Sequence, residues 1–377
     1  MSVFEKIFTD DELPKKERIL RTFNHQEVDR VALHDQLSYN PGVISIVTGK
    51  KSAGFNYTVE DIGETISKTL DSCFLPVAPC GTDTVTDQYG FAFQNDNWTR
   101  WHISRPFDDE HGAKDWLCER IRQEEQYRAE FDSNVFRKSY RNNMVNMQRL
   151  VGETVLIDCS IGTGFCDIFD RMGLEIYTFF QDEYPKVLTE YMEISVGNAV
   201  GKVKAAADPE LSPVVLIAED FSTKQGSIFS PDFLNTYHFP YLKRLTSAWH
   251  NEGIRVLYHS DGNYKKVIPD LMSCGVDGFY CLEPNCGMDI VELKNTYPQM
   301  VWAGGVDGVD LLEKGTPAQV RGEVYRHITE TDALRTGGML IASSSEINPP
   351  IKPENFRAMV EATGEFRNMS FKRREQI

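Results

Sequence analysis

The chain has 377 residues, 41% hydrophobic and 25% charged, and its 40 Lys and Arg against 56 Asp and Glu leave a net charge of −16. That length can bury a large core, and that balance is foreign to disordered or membrane-embedded chains. The negative charge repels nucleic acid and anionic membrane surfaces, so neither is an expected partner.

The opening segment, MSVFEKIFTDDELPKKERIL, mixes charged with apolar residues and has no continuous apolar run, which points to a cytoplasmic protein. Residues 29–36 (DRVALHDQ) read as a first strand, and a second is expected between 75 and 88. Residues 91–107 alternate polar and apolar around Asn95 and Asp96, as an inserted β-hairpin would, and the charged stretch 111–150 reads as helical. Together they form an insertion near 91–150. Residues 153–160 (ETVLIDCS) give another strand.

From about residue 210 the pattern becomes regular. Apolar runs at 213–220, 254–261, 276–283, 300–307 and 338–346 alternate with amphipathic stretches of helical length. Runs so continuously apolar suit parallel strands buried on both faces. Ser230-Pro231 and Thr316-Pro317 mark helix starts, with Gln319 completing a capping box. In YKKVIPDLMSCG, the residues Val267, Ile268, Leu271 and Met272 share one face, and Gly275 is a suitable left-handed stop. The fold class expected is α/β: a (β/α)8 TIM barrel over residues 1–377 as a single domain, with an N-terminal helical extension and the inserted hairpin. No Gly-rich phosphate turn favours an open doubly wound sheet.

The remaining signals are weaker. The eight cysteines (73, 80, 118, 159, 166, 274, 281 and 286) include no CxxC pair and read as reduced, mostly buried thiols. His238 reads as a mid-helix residue packed on the barrel; His25, His102, His111, His250 and His327 read as surface or capping residues. The basic run Lys372, Arg373, Arg374 reads as a solvated tail.

Catalytic groups of such barrels come from the carboxyl ends of the strands. Here those ends carry His34, Asp35 and Gln36, then Asp158, Glu219 and Asp220, then His259, Ser260 and Asp261, then Glu283, Asp307 and Ser343 through Glu346. Any one of them can cap a helix or brace a turn, and Asp158, Asp220 and Asp307 are the plainest candidates for that role. Converging carboxylates nevertheless require a cation, a proton donor or a hydrogen-bond network. His259 and Asp261, two apart on one strand, with Glu219 ending the preceding strand, are the expected metal ligands, and the imidazole favours Zn2+; a purely hydrogen-bonded network is the alternative. Glu283, Asp35 and Asp307 are the expected catalytic carboxylates, and Ser344, Glu346 and Gln36 the expected substrate-binding groups.

KKERILRTFNHQEVDRVAL, the HSDGN segment, WAGGVD and SSSEINPPIKPENFRAMVEA resemble successive segments of the uroporphyrinogen-decarboxylase superfamily. The resemblance implies a barrel with its site at the strand ends. Authentic decarboxylases of the family carry two arginines after the first strand, where this chain has LHDQLSYNPGV. Thiol-directed methyltransferases of the family carry a His-x-Cys pair and a later cysteine; here Asp261 follows His259 and SSSE occupies the later region, so the thiolates are expected to be missing. The branch best matched transfers methyl groups from methoxylated substrates to the Co(I) corrinoid of a partner protein. The resemblance therefore implies a small methylated substrate, a corrinoid protein as partner and zinc as the metal, with homodimer or monomer left open. A cofactor-independent decarboxylase of a small acid and a non-catalytic binding protein are the other readings.

Overall fold

The computed structural model describes residues 3–51, 54–368 and 371; the basic run Lys372, Arg373, Arg374 lies outside the described residues. Eight parallel strands form the barrel: β1 (Ala32–Asp35), β2 (Ser72–Phe74), β3 (Val155–Ile157), β4 (Val214–Ala218), β5 (Arg255–His259), β6 (Gly278–Tyr280), β7 (Val301–Val306) and β8 (Met339–Ser343). Hydrogen-bonded order runs β3-β2-β1-β8-β7-β6-β5-β4. The ring closes where Asp158 bridges Val215, with Leu216 N–H donating to the Asp158 carbonyl at 2.9 Å.

Strand alternation sorts the side chains into two sets. Ala32, Phe74, Val155, Ile157, Val214, Leu216, Leu257, Tyr280, Val301, Ala303, Leu340 and Ala342 form the barrel interior. Leu33, Cys73, Leu156, Val215, Ile217, Val256, Tyr258, Phe279, Trp302 and Ile341 pack outward against the helices. The helix Lys15–Phe23 inserts Ile19 and Phe23 into the lower end of the interior. Beside it Arg18 and Arg30, both buried, meet Asp29 and Asp71 at 2.6–2.8 Å.

Helix boundaries follow the punctuation in the sequence. Ser230 caps the helix Pro231–Tyr237, Thr316 and Gln319 close a capping box on Pro317–Thr331, and Gly275 has a φ of 90°. Other expectations shift. The second barrel strand is Ser72–Phe74 rather than within 75–88; Thr84–Thr86 instead joins Ala92–Asp96 and Thr99–Ser104 in a three-stranded antiparallel sheet. The hairpin turns at Asn97 and Trp98, two residues later than expected, because Asn97 takes the left-handed conformation that a tight hairpin requires. The stretch 111–150 is two helices, Glu110–Glu130 and Ser133–Val151. His238 lies between two helices rather than within one, buried, with Nε2 2.8 Å from the Tyr258 hydroxyl. His327 is fully buried, not at the surface, and its Nε2 is 3.0 Å from Glu323. Of the cysteines, which form no disulfide, Cys73, Cys274 and Cys281 are buried. No helix among the described residues is long and apolar enough to cross a membrane.

Candidate active site

The HSDGN turn after β5 organises the mouth of the barrel. Gly262 has a φ of 74°, and a Cβ there would lie 2.7 Å from the Thr223 carbonyl oxygen. Only glycine lets this turn pack against the 222–227 hairpin. Gly262 N–H donates to Glu283 Oε2 at 2.5 Å, and Asn263 N–H to the Thr223 carbonyl at 2.9 Å. The turn is thereby fixed between the ends of β4 and β6.

On that support His259 Nε2 lies 3.2 Å from Asp220 Oδ1 and 3.8 Å from Asp261 Oδ1. Cys281 Sγ lies 3.1 Å from Asp261 Oδ1. Cys281 has a φ of 67°, which breaks the strand alternation and turns its thiol into the barrel beside Tyr280. Both neighbours tie the mouth to the end of β8: the Cys281 thiol donates to the Ser344 carbonyl and the Tyr280 hydroxyl to the Ser345 carbonyl.

Electrostatics follow from burial and from the crowd of carboxylates. Burial works against the His259 imidazolium, but the hydrogen bond and charge of Asp220, helped by Asp261 and Glu283, leave its pKa raised. Burial, then the charge of Asp261, pushes the Cys281 thiol well up. Glu283 is raised by burial and by Asp261, against the Gly262 hydrogen bond. Glu346 is raised by burial and by Asp261, with His259 opposing. Among the described residues no lysine or arginine forms an ion pair with Asp220, Asp261, Glu283 or Glu346.

Ligand atoms of His259, Asp261 and Cys281 all lie within 4.8 Å of one another. Zinc at ordinary bond lengths needs tetrahedral donors roughly 3.3–3.8 Å apart; the Asp261 pairs, at 3.1 Å to Cys281 and 3.8 Å to His259, stand near that spacing, and an imidazole, a carboxylate and a thiol are the donor types zinc takes. Loading would remove the Cys281 proton.

The nine residues expected from the sequence divide. His259, Asp261 and Glu283 come together, and Glu346 and Gln36 lie on the facing wall, where Ile347 N–H donates to the Gln36 carbonyl at 2.9 Å. Glu219 does not join them. It follows the outward residues Val215 and Ile217, and its carboxylate is turned to the loop after β3: Thr163 donates to Oε1 and Cys166 N–H to Oε2 at 2.8 Å. Asp220, one residue on, faces His259 in its place. Asp35 belongs to the outward set with Leu33 and accepts from Ser343 N–H at 3.0 Å and Ser343 Oγ at 2.7 Å; burial pushes it up to about 7. Asp307 caps the turn beginning at Gly308, accepting from Asp310 N–H at 2.6 Å, and Ser344 Oγ accepts from Gly308 N–H at 3.0 Å; both brace the strand ends. Asp158 likewise braces Tyr140 and Ser160.

The residue missed by sequence reasoning is Cys281. Its thiol replaces part of the sulfur expected to be lost, from the neighbouring strand instead of the His-x-Cys position. Nothing in VDGFYCLE signals the left-handed backbone that turns it inward, whereas counting Val214, Leu216, Ala218, Asp220 along β4 would have separated Asp220 from Glu219.

Residues 178–366 match the family model of uroporphyrinogen decarboxylase (URO-D). No curated protein matches in sequence. Among solved structures, a methyltransferase from Methanosarcina mazei superposes with a TM-score of 0.64 at 17% identity, over 94% of this chain and 99% of that one. A B12-independent methionine synthase from Shewanella sp. W3-18-1 gives a TM-score of 0.40 at 13% identity, over 78% of this chain and 75% of that one.

Proposed function

The chain belongs to the uroporphyrinogen decarboxylase (URO-D) family, and from that premise we propose that it is a methyltransferase, moving a methyl group from a small methoxylated substrate to the Co(I) corrinoid of a partner protein. The observation that carries this reading is the composition of the mouth: His259, Asp261 and Cys281 within 4.8 Å, ringed by Asp220, Glu283 and Glu346, with no lysine or arginine paired to them among the described residues. The methyltransferase from Methanosarcina mazei, a structural neighbour, supports the same direction.

A decarboxylase of this family would need cations for its substrate's carboxylates. Arg255 begins β5, at the opposite end of the barrel from the mouth, and is paired with Asp277 at 3.0 Å. Lys224 is exposed in the turn of the 222–227 hairpin. An acidic mouth repels a polycarboxylate, so decarboxylation of a porphyrinogen is disfavoured.

In methyl transfer the C–O bond breaks as the methyl carbon passes to cobalt, and its electron pair stays on oxygen, which must take a proton. A zinc ion, when bound, supplies Lewis acidity to that oxygen. His259, Asp261 and Cys281 would hold the ion. The raised Glu283 carboxyl keeps a proton closer to neutrality than an ordinary carboxylate, beside the turn that carries Asp261. Asp220 orients the His259 ring through Nε2 in the unloaded protein.

Mixed with a Co(I) corrinoid protein encoded beside it and a panel of methoxylated compounds, the enzyme should methylate cobalt, seen as a change in the visible spectrum. A broad panel of ethers, methylamines and methyl thiols that leaves the cobalt unmethylated sinks the proposal.

A further inference from the structure

The wall facing His259 is built from the loops after β1 and β8; Asp35, Ser343 and Ser344 there are spent on bracing the strand ends, and Glu346 is not. Glu346 is partly buried, yet among the described residues its carboxylate makes no hydrogen bond or ion pair. Gln36 and Tyr39, both partly buried, flank it. The segment is held against the reactive groups by bonds from Tyr280 and Cys281 to the carbonyls of Ser345 and Ser344, the two residues before Glu346.

A carboxylate so placed, without a partner, calls for a hydrogen-bond donor. A bound metal does not supply the missing charge. A divalent ion on His259, Asp261 and Cys281 would be matched by the Asp261 carboxylate and the Cys281 thiolate, leaving Asp220, Glu283 and Glu346 without a counter-charge. Specificity at such a wall comes as much from what it repels as from what it binds.

We infer that Glu346 determines substrate choice: it selects a methyl compound presenting a hydrogen-bond donor, an ammonium or a hydroxyl, and rejects one carrying a carboxylate. The inference rests on the methyl-transfer reading of this mouth but concerns recognition, so binding alone can decide it.

Three matched methyl aryl ethers that differ only in an aminomethyl, hydroxymethyl or carboxylate substituent are the probes, with affinities measured by calorimetry on the full chain. The wild type should bind the first two at least roughly tenfold tighter than the carboxylate, since like charges placed together are strongly disfavoured. Glu346→Gln, which keeps the side-chain shape, should shrink that ratio to within about threefold, and Glu346→Lys should invert it. Carboxylate binding by the wild type as tight as the others, a ratio that survives Glu346→Gln, or binding of none of the three overturns the inference. Cobalt methylation from the same compounds separates the two readings. Methylation from the carboxylate donor overturns the selection while methyl transfer stands. Charge-selected binding without methylation leaves the selection standing and counts against methyl transfer.

Discussion

Asp261 Oδ1 stands 3.1 Å from Cys281 Sγ, so a carboxylate from the turn after β5 and a thiol from the end of β6 meet beside His259. Two residues of different hardness, 20 positions apart, thus share one small space at the barrel mouth.

Protein purified without chelator should carry roughly one zinc per chain by elemental analysis, because three donors of this kind complete a zinc site with an open position. Cys281→Ala and His259→Ala should each lose the metal. A Cys281→Ala variant that retains full zinc removes Cys281 from the site.

Glu219→Ala should leave zinc content unchanged while lowering stability. Its carboxylate is fully buried and accepts from Thr163 and Cys166, whose donors would be left unsatisfied, at a cost of about 1–3 kcal/mol in urea unfolding. Zinc loss with stability unaffected would restore Glu219 as a ligand.

Asp71→Ala should cost about 3–5 kcal/mol, since it removes the buried carboxylate that Arg30 and Arg18 share and leaves only Asp11 and Asp29 as their counter-charges. The pH dependence has a definite sign. Burial disfavours the charge of Asp71, but Arg30 and Arg18 outweigh it and hold the carboxyl below the ordinary range. Asp29 is likewise lowered, by Arg18 against its own burial. Their contribution is fully present above an unfolded value of about 4 and is lost as the pH falls from there through the folded values. Urea midpoints measured from pH 6 to pH 3 should fall steeply on the acid side in the wild type and less steeply in Asp71→Asn; parallel curves would contradict this.

Gly262→Ala should destabilise the chain by about 1–3 kcal/mol, because an alanine there is strained at a φ of 74° and its Cβ meets the Thr223 carbonyl at 2.7 Å. The substitution should also weaken zinc binding, since the same turn carries Asp261. Wild-type metal affinity in Gly262→Ala would show that the turn does not set the geometry.

By itself the sequence determined the architecture and the end of the barrel at which polar groups gather. Continuous apolar runs and helix caps are local signals, and they located seven of the eight strands; the short Ser72–Phe74 was missed because three residues carry too little pattern. His259, Asp261 and Glu283 were legible for the same reason, as polar residues ending apolar runs. Which way each side chain points was decided only in three dimensions. Glu219 and Asp220 are adjacent carboxylates at the end of one strand, and closure of the barrel sends the first to the helices and the second to His259. Cys281 reads as one more buried thiol until a left-handed backbone and the approach of β8 turn it inward. A side chain's direction at a strand end depends on the backbone of its neighbours across the sheet, and those neighbours lie tens to hundreds of residues away.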